Sequence, residues 1–90
     1  MIFLTVFREY SMTNEEKYTN AFMESFNVDA HKAKGLTYQD VEEWDSVGHM
    51  GLVSMLEDAF DIVMEPDDII AISSYEVGKK ILSTNYNIEF

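Results

Sequence analysis

Asp45, Ser46 and His49 stand close together in the stretch "WDSVGHM", and they are the side-chain types of an orienting acid, a nucleophile and a base. A serine hydrolase needs its base within reach of the hydroxyl and separate N–H donors for the oxyanion. A single helical turn without a Gly-x-Ser-x-Gly elbow supplies neither. His31 and His49 share no metal-ligand spacing, and "DAFDIVMEPDDI" lacks the central glycine and alternating acids of a calcium loop, so no metal is expected. Cysteine is absent, which removes thiol nucleophiles, thiolate metal sites and disulfides together. These residues are therefore not expected to work as an enzyme.

The plainest reading of Asp45 and Ser46 is a helix start, with the aspartate as cap and the serine in the first turn. A helix start also suits a phosphate, because free backbone N–H groups and the positive end of the dipole favour an anion there. A phosphate-linked group esterified to Ser46 would be held favourably at that position. A chain without cysteine that must carry a thioester takes its sulfur from a cofactor, as pantetheine-type group carriers do.

The elements that must position Ser46 are legible as helices. Ninety residues suffice for one domain, whose core buries about 60% of the unfolded chain's surface. At 47% hydrophobic and 13% aromatic residues the composition is that of a globular domain and not of an acidic disordered tail. Thr13 with Glu16 fits a capping box, and Tyr18, Phe22 and Phe26 recur at four-residue spacing, which predicts a helix over about 14–27. Residues 28–45 read as a long loop with one short turn, longer than a compact domain keeps without a purpose. Asp45 caps a second helix ending near Asp61, with Leu52, Val53, Leu56, Ala59 and Phe60 on its inward face. Glu57, Asp58 and Asp61 fall opposite, and Val47 and Met50 fall among them, exposed one turn from Ser46. Pro66 opens a short third helix to about Ile70. Ser73 with Glu76 opens a fourth, with Val77, Ile81 and Leu82 inward and Gly78 leaving room beside the core. The expected fold is all-α, a small four-helix bundle of three longer helices and one short.

Charge is distributed unevenly. Between Gly35 and Gly78 there are eleven Asp or Glu and no Lys or Arg, so the net charge of −11 resides in one continuous region. That region repels nucleic acid and anionic lipid and attracts proteins with basic patches. "MIFLTVF" at the start is too short to span a bilayer and lacks the flanks of a signal peptide, so the expected place is the cytoplasm, away from membranes. Met12 begins "MTNEEKYTNAF", a workable second start, and residues 1–12 are read as an N-terminal extension, 13–85 as the domain and 86–90 as a tail.

From about Asn14 to Leu82 the sequence resembles the acyl carrier protein family. "WDSVGHMGLVSMLEDAF" is similar to the family's Asp-Ser-Leu attachment motif followed by its acidic second helix, including a Leu-Glu-x-x-Phe pattern at 56–60, and "DIVMEPDDIIAISSYEVGKKIL" is similar to its third and fourth helices. The resemblance implies that a phosphopantetheinyl transferase attaches 4'-phosphopantetheine to Ser46, with Asp45 beside it. The arm's thiol then carries acyl groups as thioesters between biosynthetic enzymes, and the domain itself is a monomer that catalyses nothing. It further implies that Val47 and Met50 contact partners, and that Glu57, Asp58 and Asp61 meet basic docking patches on loading and transferring enzymes. Leu52, Leu56, Phe60 and Ile72 are expected to line an interior that shelters the acyl chain. Gly48 and Gly51 occupy positions where fatty-acid carriers often place acids, which implies a dedicated carrier for a specialised pathway. Within that class the alternative is an aminoacyl or peptidyl carrier using the same arm; outside it stand an acidic helical interaction module that is never modified and, after it, a hydrolase.

Overall fold

Thr13 starts the first helix as its spacing from Glu16 predicts. Its hydroxyl accepts from the Glu16 N–H at 3.0 Å, and the Glu16 carboxylate accepts from the Thr13 N–H at 2.9 Å, which satisfies two end groups reciprocally. The computed structural model describes residues 12–90; the rest of the expected extension, residues 1–11, lies outside the described residues. Helix α1 (Asn14–Phe26) buries Tyr18, Phe22 and Phe26 and ends on Asn27 in the left-handed region.

The segment expected as a loop with one turn holds a five-residue helix, α2 (Ala30–Lys34), capped by Asp29 through the Lys32 N–H at 2.8 Å. Helix α3 (Ser46–Phe60) has Asp45 as N-cap and Asp61 as C-cap, matching expectation at both ends. Helix α4 (Pro66–Ala71) has proline in its first turn, and α5 (Tyr75–Tyr86) completes the order. Among the described residues the fold is thus all-α, three longer helices and two short ones, one short helix more than expected.

Two expectations for α5 are corrected. Its N-cap is Ser74, whose hydroxyl accepts from the Val77 N–H at 3.0 Å; Ser73 instead gives its carbonyl to the Tyr38 N–H at 2.9 Å. That bond and the one from the Tyr75 N–H to the Leu36 carbonyl, 3.0 Å, form an antiparallel bridge between Thr37 and Ser74 that holds Ser73 outside the helix. Val77 is exposed, while Gly78 and Leu82 face the core and Ile81 is half-buried. A Cβ on Gly78 would run into the Tyr18 hydroxyl, so the glycine gives Tyr18 its place.

Tyr18 donates to the Tyr75 carbonyl at 2.7 Å, and Trp44, fully buried, stacks on Phe26 at 4.8 Å. The loop before α3 is therefore anchored in the core by its tryptophan and to α5 by the bridge. After Tyr86 the chain folds back, with Ile88 packed on the core and the Glu89 carbonyl accepting from Asn14. No helix among the described residues is long and apolar enough to cross a membrane.

Candidate functional site

Ser46 is the first residue of α3 and is exposed. The Asp45 carboxylate accepts from the Gly48 N–H at 2.8 Å, and the His49 N–H continues to the Asp45 carbonyl, also at 2.8 Å. Among the described residues the Ser46 and Val47 N–H groups have no protein acceptor, so the helix start keeps open donors beside the hydroxyl. The chain crosses this turn closely: a Cβ on Gly48 would occupy the space of the Glu43 carbonyl oxygen. Gly48 therefore answers to packing and not to the removal of charge. Gly51 has nothing within 4 Å of its would-be Cβ.

Beside Ser46 opens an apolar groove of about 400 Å³. Tyr38 of the loop, Ser46, His49 and Met50 of α3, Ile69 and Ile70 of α4, and Ile72 and Ser73 after it line the groove. Of the four residues expected to shelter a chain, Ile72 alone lines it. Leu52 and Leu56 are fully buried in the core, and Phe60 is half-buried at the far end of α3. The inward face of α3 is filled by the core, and the space lies where α4 leans on its first two turns. Tyr38, Ile69 and Ile70 carry no sequence signal of this role, because the wall they make depends on how separate segments pack. Tyr38 is held there by a turn in which the Asp40 carboxylate accepts from the Thr37 N–H at 2.9 Å, a bond that keeps the Asp40 carboxyl below its usual range.

His49 sits in the wall with both ring nitrogens engaged. The Trp44 indole N–H donates to Nδ1 at 3.0 Å, and Nε2 is 2.7 Å from the Ile69 carbonyl oxygen, where it must donate. Ile69 lies in the last turn of a six-residue helix, whose carbonyls have no helical partner, so the imidazole satisfies one of them. With its nitrogens so used, and with the Asp45 carboxylate turned to Gly48, the Asp45, Ser46 and His49 side chains form no relay.

Val47 is 80% exposed and Met50 50%, as the helical spacing predicts. Ile70, 79% exposed, extends the same apolar surface across the groove. Asp58 and Asp61 are exposed, whereas Glu57 is half-buried and accepts from the Met64 N–H at 2.9 Å, fixing the turn that leads to α4. Compared with known proteins, the chain matches no family model, no curated protein and no solved structure.

Proposed function

We propose that this chain is an acyl carrier protein with an acyl-carrier-like bundle, in which Ser46 bears 4'-phosphopantetheine. The observation that carries the reading is the exposed Ser46 hydroxyl at a helix start, at the edge of an apolar groove. A phosphodiester on that oxygen meets the open end of α3 and its positive dipole. When bound, the arm would supply the thiol that a cysteine-free chain lacks, and the apolar groove beside Ser46 would be the place to shelter an acyl group linked to it. At about 0.8 kcal/mol per methylene removed from water, four sheltered carbons gain about 3 kcal/mol, enough to favour the groove over solvent.

The protein acts by presentation. Val47, Met50 and Ile70 offer apolar contact around the attachment site, and Asp58 and Asp61 extend the negative surface that steers partners with basic patches. The partners are a phosphopantetheinyl transferase and enzymes that load and remove acyl groups, in the cytoplasm and within a specialised pathway.

Reaction of the purified chain with a transferase and its pantetheine donor should add about 340 Da, the arm of this cofactor class. Ser46→Ala should abolish the addition with unchanged far-UV CD. A wild-type chain left unmodified by several transferases would instead support an acidic interaction module using the same exposed apolar side chains.

A further inference from the structure

Trp44 is the chain's single tryptophan, and its buried indole N–H has one partner, His49 Nδ1. On the other side of the ring, Nε2 meets the Ile69 carbonyl. An indole only donates and a carbonyl only accepts, so one imidazole serves both as the neutral Nε2–H tautomer alone. The ring thereby ties the loop to α3 through Trp44, and α3 to α4 through Ile69. Both tied segments are walls of the groove. The loop brings Tyr38, whose ring meets Trp44 edge-on at 6.0 Å and His49 at 5.8 Å, and α4 brings Ile69 and Ile70.

From this geometry we infer that His49 is a proton-operated latch on the groove beside Ser46: neutral, it fixes the Trp44 and Tyr38 rings at the loop wall; protonated, it loosens those rings and keeps hold of α4. The inference rests on the carrier reading for its use, as the regulation of that same site, but its mechanism needs only the unmodified chain. A proton on Nδ1 sets an N–H against the indole N–H, so a buried donor loses its acceptor. The Nε2–H bond to Ile69 survives and becomes charge-assisted. Release is therefore one-sided: the Trp44 indole loses its acceptor and the Tyr38 ring its fixed edge-on neighbours, while the loop backbone stays held by the Ser73 carbonyl and the buried face of Trp44 by Phe26.

The ionisable groups on the elements around the ring are acids and a phenol. Asp40, Glu42, Glu43 and Tyr38 are on the loop, Asp45 caps α3 with its carboxylate on the Gly48 N–H, and Asp67 and Asp68 are on α4. Asp68 is turned to Tyr86 and Asn85 of α5. No Lys or Arg lies between Gly35 and Gly78, and Lys32 on α2 acts on Asp40 of the loop.

The test follows Trp44 emission, the Tyr38 ring resonances and the imidazole 15N shifts of the unmodified chain from about pH 8 to about pH 5, where histidine changes charge. At the upper end the shifts should show Nε2–H for His49. As the ring protonates, Trp44 emission should move to longer wavelength and the Tyr38 resonances should shift, all with one midpoint; exposed His31 serves as the reference ring. His49→Gln, whose amide both accepts and donates without titrating, should keep its helical CD and lose the transition. Emission that stays flat while His49 protonates, separate midpoints, a ring that stays neutral to the lower limit, or a transition that persists in the Gln variant overturns the latch. The wild-type midpoints decide the matter even where the variant does not fold. Ser46→Ala should leave the transition in place, so failure of the latch and failure of pantetheine attachment read separately.

Discussion

Two glycine-to-alanine substitutions in α3 should change stability in opposite directions. At Gly51 the new methyl meets nothing within 4 Å, so the variant keeps the whole helix-propensity gain of alanine, about 1 kcal/mol. In a domain of this size that raises Tm by about 4–8 °C. At Gly48 the new methyl collides with the Glu43 carbonyl oxygen, and the segment cannot simply withdraw, because the next residue is Trp44, buried against Phe26 and bonded to His49. Displacing it costs about 1–3 kcal/mol for overpacking or for a buried donor left unpaired. Against at most about 1 of propensity gain, that leaves a net change from about zero to a loss of about 2 kcal/mol, on the opposite side of Gly51→Ala. Thermal melts of both variants followed by far-UV CD measure the difference. A Gly48→Ala chain stabilised as much as Gly51→Ala would mean that the loop does not cross the first turn of α3, and the position of Tyr38 and Trp44 at the groove would fall with it. A destabilised Gly51→Ala chain would mean that this face is covered.

Met50→Glu should leave folding unchanged while reducing modification of Ser46 or acyl loading, since Met50 is half exposed; unfolding would place it in the core. Loading rates should fall as salt rises, through screening over roughly 10 Å at 0.1 M, and rates independent of salt would remove the steering role of the acidic surface. The Lys79 ammonium on Glu15 holds the Glu15 carboxyl below its usual 4.5, helped by Tyr75 and opposed by burial. The stabilisation is then fully present above pH 4.5 and lost as pH falls through the lowered value. Because the pair is partly exposed, Glu15→Gln should flatten the acid limb of the stability profile by under about 1 kcal/mol, and parallel limbs in urea titrations across pH would contradict the pairing.

The features legible in the sequence are those decided within a turn or two of chain. Thr13 with Glu16, Asp45 before Ser46, and Pro66 in its first turn act locally, and the exposure of Val47 and Met50 follows from helical spacing alone. The three-residue spacing from Ser73 to Glu76 points one residue too early, because the start of α5 is set by a bridge to Thr37, far away in the chain. The hydrophobicity of Val77 predicts an inward side chain, whereas the core takes Gly78, whose missing side chain is replaced by the Tyr18 phenol from another helix. The site divides in the same way. Ser46 and its cap stand out by residue type, but the groove is made by Tyr38, Ile69 and Ile70, which come together through packing of α4 on α3. His49 likewise suggests a base in isolation and becomes a structural tie once Trp44 and the Ile69 carbonyl are in place.

The most direct measurement is fragmentation mass spectrometry of the peptide spanning residues 42–56 after reaction with a phosphopantetheinyl transferase and its donor. The account predicts a single phosphodiester-linked arm on Ser46 and none on Ser54, the other hydroxyl in that peptide. An arm on Ser54, or a peptide returned without any arm by transferases that modify known carriers, would contradict it.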